Sequence, residues 1–302
     1  RQRWCGPAGN NALNIVRDAD LLLNLSSSNT MRPWMQEVPR RILVDTDPGF
    51  TQIKNLTQPA QMDFSLQHTA FFSFGENVGK PHCLIPGDGL PWQPTRQPVV
   101  LDAWPFTPGD PSSPFTTVMK WESYPSKFYE GRYYGMKSDS FLPYMHLPEC
   151  TGSALEIGIS DRHAPRKELQ ENGWRLSYPQ KISADPWQYQ EYIRHSKAEF
   201  SVAKHGYVEA NTGWFSERSA GYLASGRPVV VQETGFSEWI SSDLGLVPFT
   251  NPAEALAAIE AINTHYERHC KAARELASSY FSSDIILHQL IERSFSSSKV
   301  AL

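Results

Sequence analysis

In the first hundred residues the apolar positions gather in short unbroken runs. These are Asp20–Ser26 (DLLLNLS), Arg41–Asp45 (RILVD) and Ala70–Gly75 (AFFSFG). Runs without alternation that end in Gly, Ser or Asp predict strands buried on both faces of a parallel sheet. Pro39, Pro48 and the stretch 86–98 (PGDGLPWQPTRQP) mark turns or loops between and after them, and the run 105–114 (PFTPGDPSSP) reads as a linker between domains. The boundary is expected near Pro114, with closure of the two halves about 105–114.

Beyond Pro114 strands and helices alternate regularly. Strands are predicted at Phe115–Trp121, Ala154–Ser160, Trp174–Leu176, Glu199–Ala203 and Pro228–Gln232, and helices at Pro165–Asn172, Trp187–His195 and Ser216–Ser225. The tetrad Asn251-Pro252-Ala253-Glu254 supplies an N-cap, a proline at the first helical position and an acid in the first turn, opening a helix over Ala253–Asn263. Two more helical stretches, Tyr266–Phe281 and Asp284–Phe295, follow. Such alternation predicts an α/β chain of two Rossmann-like halves, 1–114 and 115–302, each with a parallel sheet. Arg1–Asn14 carries no clear strand, so the chain reads as entering mid-fold, with upstream residues expected to be missing and the first half incomplete.

Composition narrows the class. With 302 residues, 40% hydrophobic and 20% charged, the chain can bury two cores and is not of the disordered type. The formal net charge of −4 and the scattered basic residues carry no nucleic-acid footprint, so no nucleic-acid partner is expected. No apolar run approaches the ~20 residues of a membrane span. Cys5, Cys83, Cys150 and Cys270 lack metal-ligand or disulfide spacing, which suggests a cytoplasmic protein. Sequons at Asn24 and Asn55 are read as chance tripeptides, the first lying in a buried-looking strand. His265 and His269, one helical turn apart, are read as surface residues.

The chemistry concentrates in residues 200–236 (FSVAKHGYVEANTGWFSERSAGYLASGRPVVVQETGF), a strand, a polar loop, a helix ending at Gly226 and a second buried strand. Ser216 is the expected N-cap, Ala220, Leu223 and Ala224 share one face, and Gly226 suits a left-handed C-terminal cap. In an open parallel sheet the start of such a helix faces the ligand crevice, where free N–H groups and the helix dipole favour phosphate.

Here the chain resembles the donor domain of GT-B glycosyltransferases, in particular the retaining family-4 type and the bacterial spore-maturation glycosyltransferase-like group. The resemblance covers about 115–290. It rests on Ala224-Ser225-Gly226-Arg227-Pro228-Val229-Val230, on Thr234-Gly235, and on Gly245-Leu246, the segment Asn251 to Leu256 and Tyr280-Phe281-Ser282 in family order. Glu209 and Glu217 are similar to the family's Glu-x7-Glu pair, whose carboxylates hold sugar and ribose hydroxyls. Counted back from Gly226, however, the family's ribose-binding acid falls at Gly221, one turn after Glu217. The alternative reading of Glu217 is an acid stabilised by the helix dipole.

Strand-end placement makes Lys204 and His205 candidates for the donor diphosphate, with Ser216, Arg218 and Ser219 at the helix start and Thr234 and Gly235 in the turn beyond. Family order adds a basic pair after the strand Phe115–Trp121, for which Arg132 and Lys137 (GRYYGMKSDS) are available. These cations and the helix N-terminus can stabilise a departing diphosphate, so no obligatory metal is expected.

The Asp45-Thr46-Asp47-Pro48-Gly49 strand end admits several readings. As a catalytic or acceptor-cleft pair, Asp45 and Asp47 complement Glu209; as Asp-x-Asp they resemble the metal motif of GT-A transferases or the start of a nucleoside hydrolase; most simply they form a turn. Phe50-Thr51-Gln52 stands where the hydrolase family continues with aspartates, which leaves that cage incomplete. Glu76 and Asn77 share this strand-end placement opposite the donor side. The expected activity is transfer of a sugar from a nucleotide diphosphate to a glycan, lipid or small-molecule acceptor, with retention favoured. The competing expectation is an inactive sugar-nucleotide-binding or scaffold protein. Convergence of Lys137, Glu217 and Arg218 in one pocket separates donor binding from the scaffold.

Overall fold

The structure is a computed structural model that describes residues 6–296. Its first half is a four-stranded parallel sheet, with β1 (Leu21–Leu25), β2 (Arg40–Asp45), β3 (Ala70–Ser73) and β4 (Trp92–Pro94) side by side in that order. The first three are the strands the apolar runs predict. The fourth lies inside the proline-rich stretch read as loop; Pro94 is tolerated because β4 is an edge strand, where a missing N–H costs no ladder bond. Asn24, inside β1, is fully buried and bonded to the carbonyl of Asn29 and the ring of His68. A buried amide is no glycan acceptor.

The second sheet has six parallel strands: β5 (Phe115–Met119), β8 (Leu155–Ile159), β9 (Arg175–Ser177), β10 (Ala198–Ser201), β11 (Val229–Gln232) and β12 (Leu246–Phe249). Their spatial order is β12-β11-β10-β5-β8-β9. An antiparallel hairpin, β6 (Lys127–Tyr129) and β7 (Arg132–Tyr134), sits apart. The order runs outward in both directions from the β5–β10 pair, which is the Rossmann arrangement with its switch point there. Valines Val229 and Val230 and Phe115, Leu155, Ile157 and Phe200 are buried on both faces, each contributing about 1.5–3 kcal/mol of burial.

Two packing details change the expected organisation. The final helix, Ser283–Ser296, was grouped with the second half, yet its Leu290 packs on Ile42, Val44 and Phe72 of the first sheet. The chain therefore crosses between the halves twice. The crossings lie side by side, with the Val99 N–H donating to the Phe281 carbonyl at 2.7 Å and the Ser283 N–H to the Val99 carbonyl at 2.9 Å.

The run 105–114 is also no loose linker. Arg227, 1% exposed, donates to the carbonyl and hydroxyl of Thr107 at 2.8 and 3.0 Å, and Gly226, at φ +71°, leaves room for the Phe106 ring. Arg274 holds the carbonyls of Leu101 and Trp104 in the same way. The segment is clamped to the second half, so closure about 105–114 is not supported. His269 departs from expectation too: it is 2% exposed, and its Nδ1 accepts from the Gly245 N–H at 3.1 Å.

Candidate functional site

Between the carboxyl ends of the two sheets lies a cleft of about 1080 Å³. One wall comes from the second half: Lys120, Ser123, Tyr124, Lys137, Lys204, Ser216, Glu217 and Arg218. The helix Glu217–Ala224 forms as its sequence dictates. Ser216 Oγ accepts from the Arg218 N–H at 3.2 Å, and Gly226 in the left-handed region closes the other end, its N–H on the Leu223 carbonyl. Ala220, Leu223 and Ala224 are fully buried, which turns the helix start toward the cleft.

Three cations meet there. Arg218 donates from Nε to Glu199 Oε1 at 2.7 Å and from Nη2 to Ser201 Oγ at 2.7 Å. Burial alone would lower its pKa, but the adjacent Glu199 carboxylate reverses this and the net shift is upward. Lys137, at the start of the short helix Lys137–Phe141, has its pKa held well below the usual lysine range, first by burial and then by Arg218. No carboxylate pairs with it among the described residues.

Lys204 lies beyond the end of β10 and Asp47 beyond the end of β2. Lys204 Nζ reaches Asp47 Oδ1 at 2.8 Å and the Tyr124 hydroxyl at 2.8 Å. It also stands over the rings of Tyr124, Phe50 and Tyr207 at 4.4, 5.0 and 5.2 Å. Burial lowers its pKa, opposed by Asp47. Asp47 in turn accepts from the hydroxyls of Tyr207, at 2.6 Å, and Tyr124. With Lys204 that makes three donors on one carboxylate.

Asp45 is buried away from the cleft wall. It accepts from the Asp47 N–H, Thr51 Oγ1, Gln52 Nε2 and Ser73 Oγ at 2.8, 2.7, 3.2 and 2.8 Å, and burial still raises its pKa. Four donors make it the anchor of the β2 turn, the simplest of the sequence readings. Each oxygen of Asp45 accepts two bonds, which leaves it none to offer a metal cage.

The other candidates scatter. Arg132 and Glu209 pair with each other at 3.5 Å, both well exposed, and neither lines the cleft. His205 turns to the loop before Lys137, its Nδ1 3.5 Å from the Gly135 N–H. Ser219 is buried beneath the helix start. Thr234 and Gly235 are structural: Glu233 Oε1 accepts from both their N–H groups at 3.0 and 2.6 Å. The Asn77 amide donates to the Gly235 carbonyl at 3.1 Å, tying the two halves together. Glu76 pairs with Arg96 at 2.6 Å.

Glu199 and Tyr124 were not singled out from the sequence. For Glu199 a signal existed, since a lone carboxylate within the buried strand Ala198–Ser201 must find a cation. For Tyr124 there was none, because it is an aromatic in a loop.

No family model matches the sequence, and no curated protein does either. Solved structures match strongly. HepE from Anabaena, in complex with UDP and glucose, superposes with a TM-score of 0.60 at 12% identity over 97% of this chain and 83% of that one. Sucrose-phosphate synthase from Thermosynechococcus elongatus gives 0.59 at 12% over 96% and 77%. An alpha-glucosyltransferase in complex with UDP-glucose and DNA gives 0.59 at 11% over 94% and 82%. The chain has the GT-B glycosyltransferase fold.

The resemblance read from the sequence is borne out at the level of the fold. One expectation is corrected by the same GT-B neighbours. Nucleic acid was excluded as a partner on net charge, yet two alpha-glucosyltransferase structures of this fold hold DNA. Net charge averages over the whole surface, whereas a GT-B cleft can present a local cationic wall, so a charge of −4 excludes no such partner.

Proposed function

We propose that the chain is a glycosyltransferase that binds a nucleotide-diphosphate sugar, of the UDP type, on the second-half wall and transfers the sugar to an acceptor held by the first half. The observation that carries this reading is the convergence of Lys137, Lys204 and Arg218 on one cleft at the switch point of a Rossmann sheet, beside the start of the helix Glu217–Ala224. A diphosphate there meets an unpaired ammonium, a guanidinium edge and backbone N–H groups. Glu217, exposed on the same wall without a cation of its own among the described residues, is placed to accept from a sugar or ribose diol. In transfer, the acceptor oxygen bonds to the anomeric carbon and the bond from that carbon to the diphosphate breaks, its electron pair leaving on phosphate. The three cations stabilise that charge, which is why the reaction proceeds without a metal in this reading. The cysteines Cys83, Cys150 and Cys270, all free thiols, support a cytoplasmic setting.

One observation favours a second reading, donor binding without transfer. Of the two glutamates of the Glu-x7-Glu resemblance only Glu217 lines the cleft, while Glu209 is paired with Arg132 outside it. Calorimetry with UDP-, GDP- and dTDP-glucose tests both. Under the first reading one donor binds, Glu217→Ala weakens it about tenfold, and nucleoside diphosphate is released on turnover. Binding without release selects the second reading, and no binding by any donor sinks both.

A further inference from the structure

The two walls of the cleft are chemically opposite. Facing the cations are Leu23 and Leu25 on the edge strand β1, Val44 and Phe74 beside them, and Leu287 and Leu290 of the final helix. Register explains the set. Leu23 pairs with Ile42 and Leu25 with Val44, which places these side chains on the face that the final helix covers. The helix packs on β2 and β3, while Leu23 and Leu25 of β1 remain 42% and 48% exposed, and Leu287 39%.

Several polar groups on this wall are already engaged. Ser26 and Thr46 bond each other at 2.7 Å, Arg96 is held by Glu76, and the Gln97 amide donates to the Phe215 carbonyl. A glycan needs carboxylates or amides to replace the water on its hydroxyls, and the most exposed side chains of this wall, Leu23, Leu25 and Leu287, offer aliphatic surface.

We infer that the acceptor is an aliphatic molecule carrying a hydroxyl, its chain on Leu23, Leu25 and Leu287 and its hydroxyl toward the cations. This inference rests on the transferase reading. The cleft, at about 1080 Å³, exceeds the roughly 300–1000 Å³ of a single-ligand site and has room for donor and acceptor together. The acceptor O–H gives its oxygen to the anomeric carbon. Its proton goes to the departing diphosphate, since Asp47 already accepts from Lys204, Tyr207 and Tyr124.

The test uses the whole chain and two probes. N-phenyl-1-naphthylamine, a neutral apolar dye, is titrated alone and then displaced with 1-dodecanol. UDP-glucose is followed by calorimetry and by UDP release with 1-dodecanol or maltose. Expected results are dye binding displaced by dodecanol, at least tenfold weaker binding in Leu287→Glu, no change in Leu142→Glu at an exposed position outside the cleft, and UDP release driven by dodecanol. If Leu287→Glu does not fold, Leu23→Glu replaces it. Equal dye affinity in the variant, release driven by maltose in place of dodecanol, or a dimer that Leu287→Glu dissolves would overturn the proposal. Dye binding as expected with no binding of UDP-, GDP- or dTDP-glucose sinks the transferase reading and leaves an apolar site without an acceptor role, while donor binding with no dye binding sinks the aliphatic acceptor alone.

Discussion

Glu199, with its side chain fully buried in β10, holds the Nε of Arg218 at 2.7 Å and leaves the outer edge of the guanidinium to the cleft. Ser201, two residues along the same strand face, takes Nη2 at 2.7 Å. A strand inside the second half thus aims a cation at the space between the halves, and Glu199 acts as a positioning residue. Replacing it leaves the guanidinium buried and unbalanced. Glu199→Gln is expected to cost about 3 kcal/mol in urea unfolding and to weaken UDP binding about tenfold. A purely structural role would lower stability and leave the affinity of the folded protein for UDP where it was.

Lys137 is a charge held in a poor place for charge. With no carboxylate in ion-pair contact among the described residues, and with burial outweighing the pull of Glu199 and Glu217, Lys137→Met is expected to stabilise the fold by about 1–2 kcal/mol while weakening UDP binding. The sign with pH follows from the direction of the shift. Because the folded pKa lies below the unfolded value, the unfolded chain binds the proton more strongly, and the wild type is penalised at all pH values below the lowered pKa. The advantage of the methionine variant is therefore constant below the lowered pKa and shrinks as pH rises from there toward 10.5. An advantage that grows with pH contradicts this assignment.

Lys204 and Asp47 join the halves across 157 residues of sequence. Both are largely buried, with side chains 12% and 19% exposed. A double-mutant cycle with Lys204→Met and Asp47→Asn is expected to give a coupling of about 1–3 kcal/mol in thermal or urea unfolding. Additivity within about 0.5 kcal/mol would mean that the aromatic cage, and not the aspartate, holds the ammonium.

Gly226 closes the helix Glu217–Ala224 at φ +71° and lies against the Phe106 ring. A side chain there meets both a strained backbone and an occupied space. Gly226→Ala is expected to lose about 2 kcal/mol or more in unfolding experiments and to expose the 105–114 segment to protease. An unchanged cleavage pattern would argue that Arg227 and Arg274 clamp that segment unaided.

Much of the fold was legible because its signals are local. The run Val229–Val231, the Ser216 cap and the Asn251-Pro252 helix start act within a few residues, and each produced the element it announces. Elements whose only signal was tertiary were missed. The strand β4 forms because β3 offers an edge, although its own sequence is rich in proline, and the final helix returns to the first sheet because Leu290 finds Ile42, Val44 and Phe72 there.

The site divides along the same line. Strand ends and a capped helix start were enough to bring Lys204, Glu217 and Arg218 to a common crevice, since chain direction in a parallel sheet sets which end faces it. Which acid pairs with which cation was not legible. Glu209 and Arg132 leave the cleft for each other, Asp47 takes Lys204, and the unremarked Glu199 takes Arg218. The sequence by itself determined the strands of unbroken apolar runs, the caps and the order of the donor-side motif, because these rest on contacts between near neighbours in the chain. Only the tertiary structure decided the charge pairs and the aliphatic wall, because each depends on how two sheets and a returning helix approach one another in space.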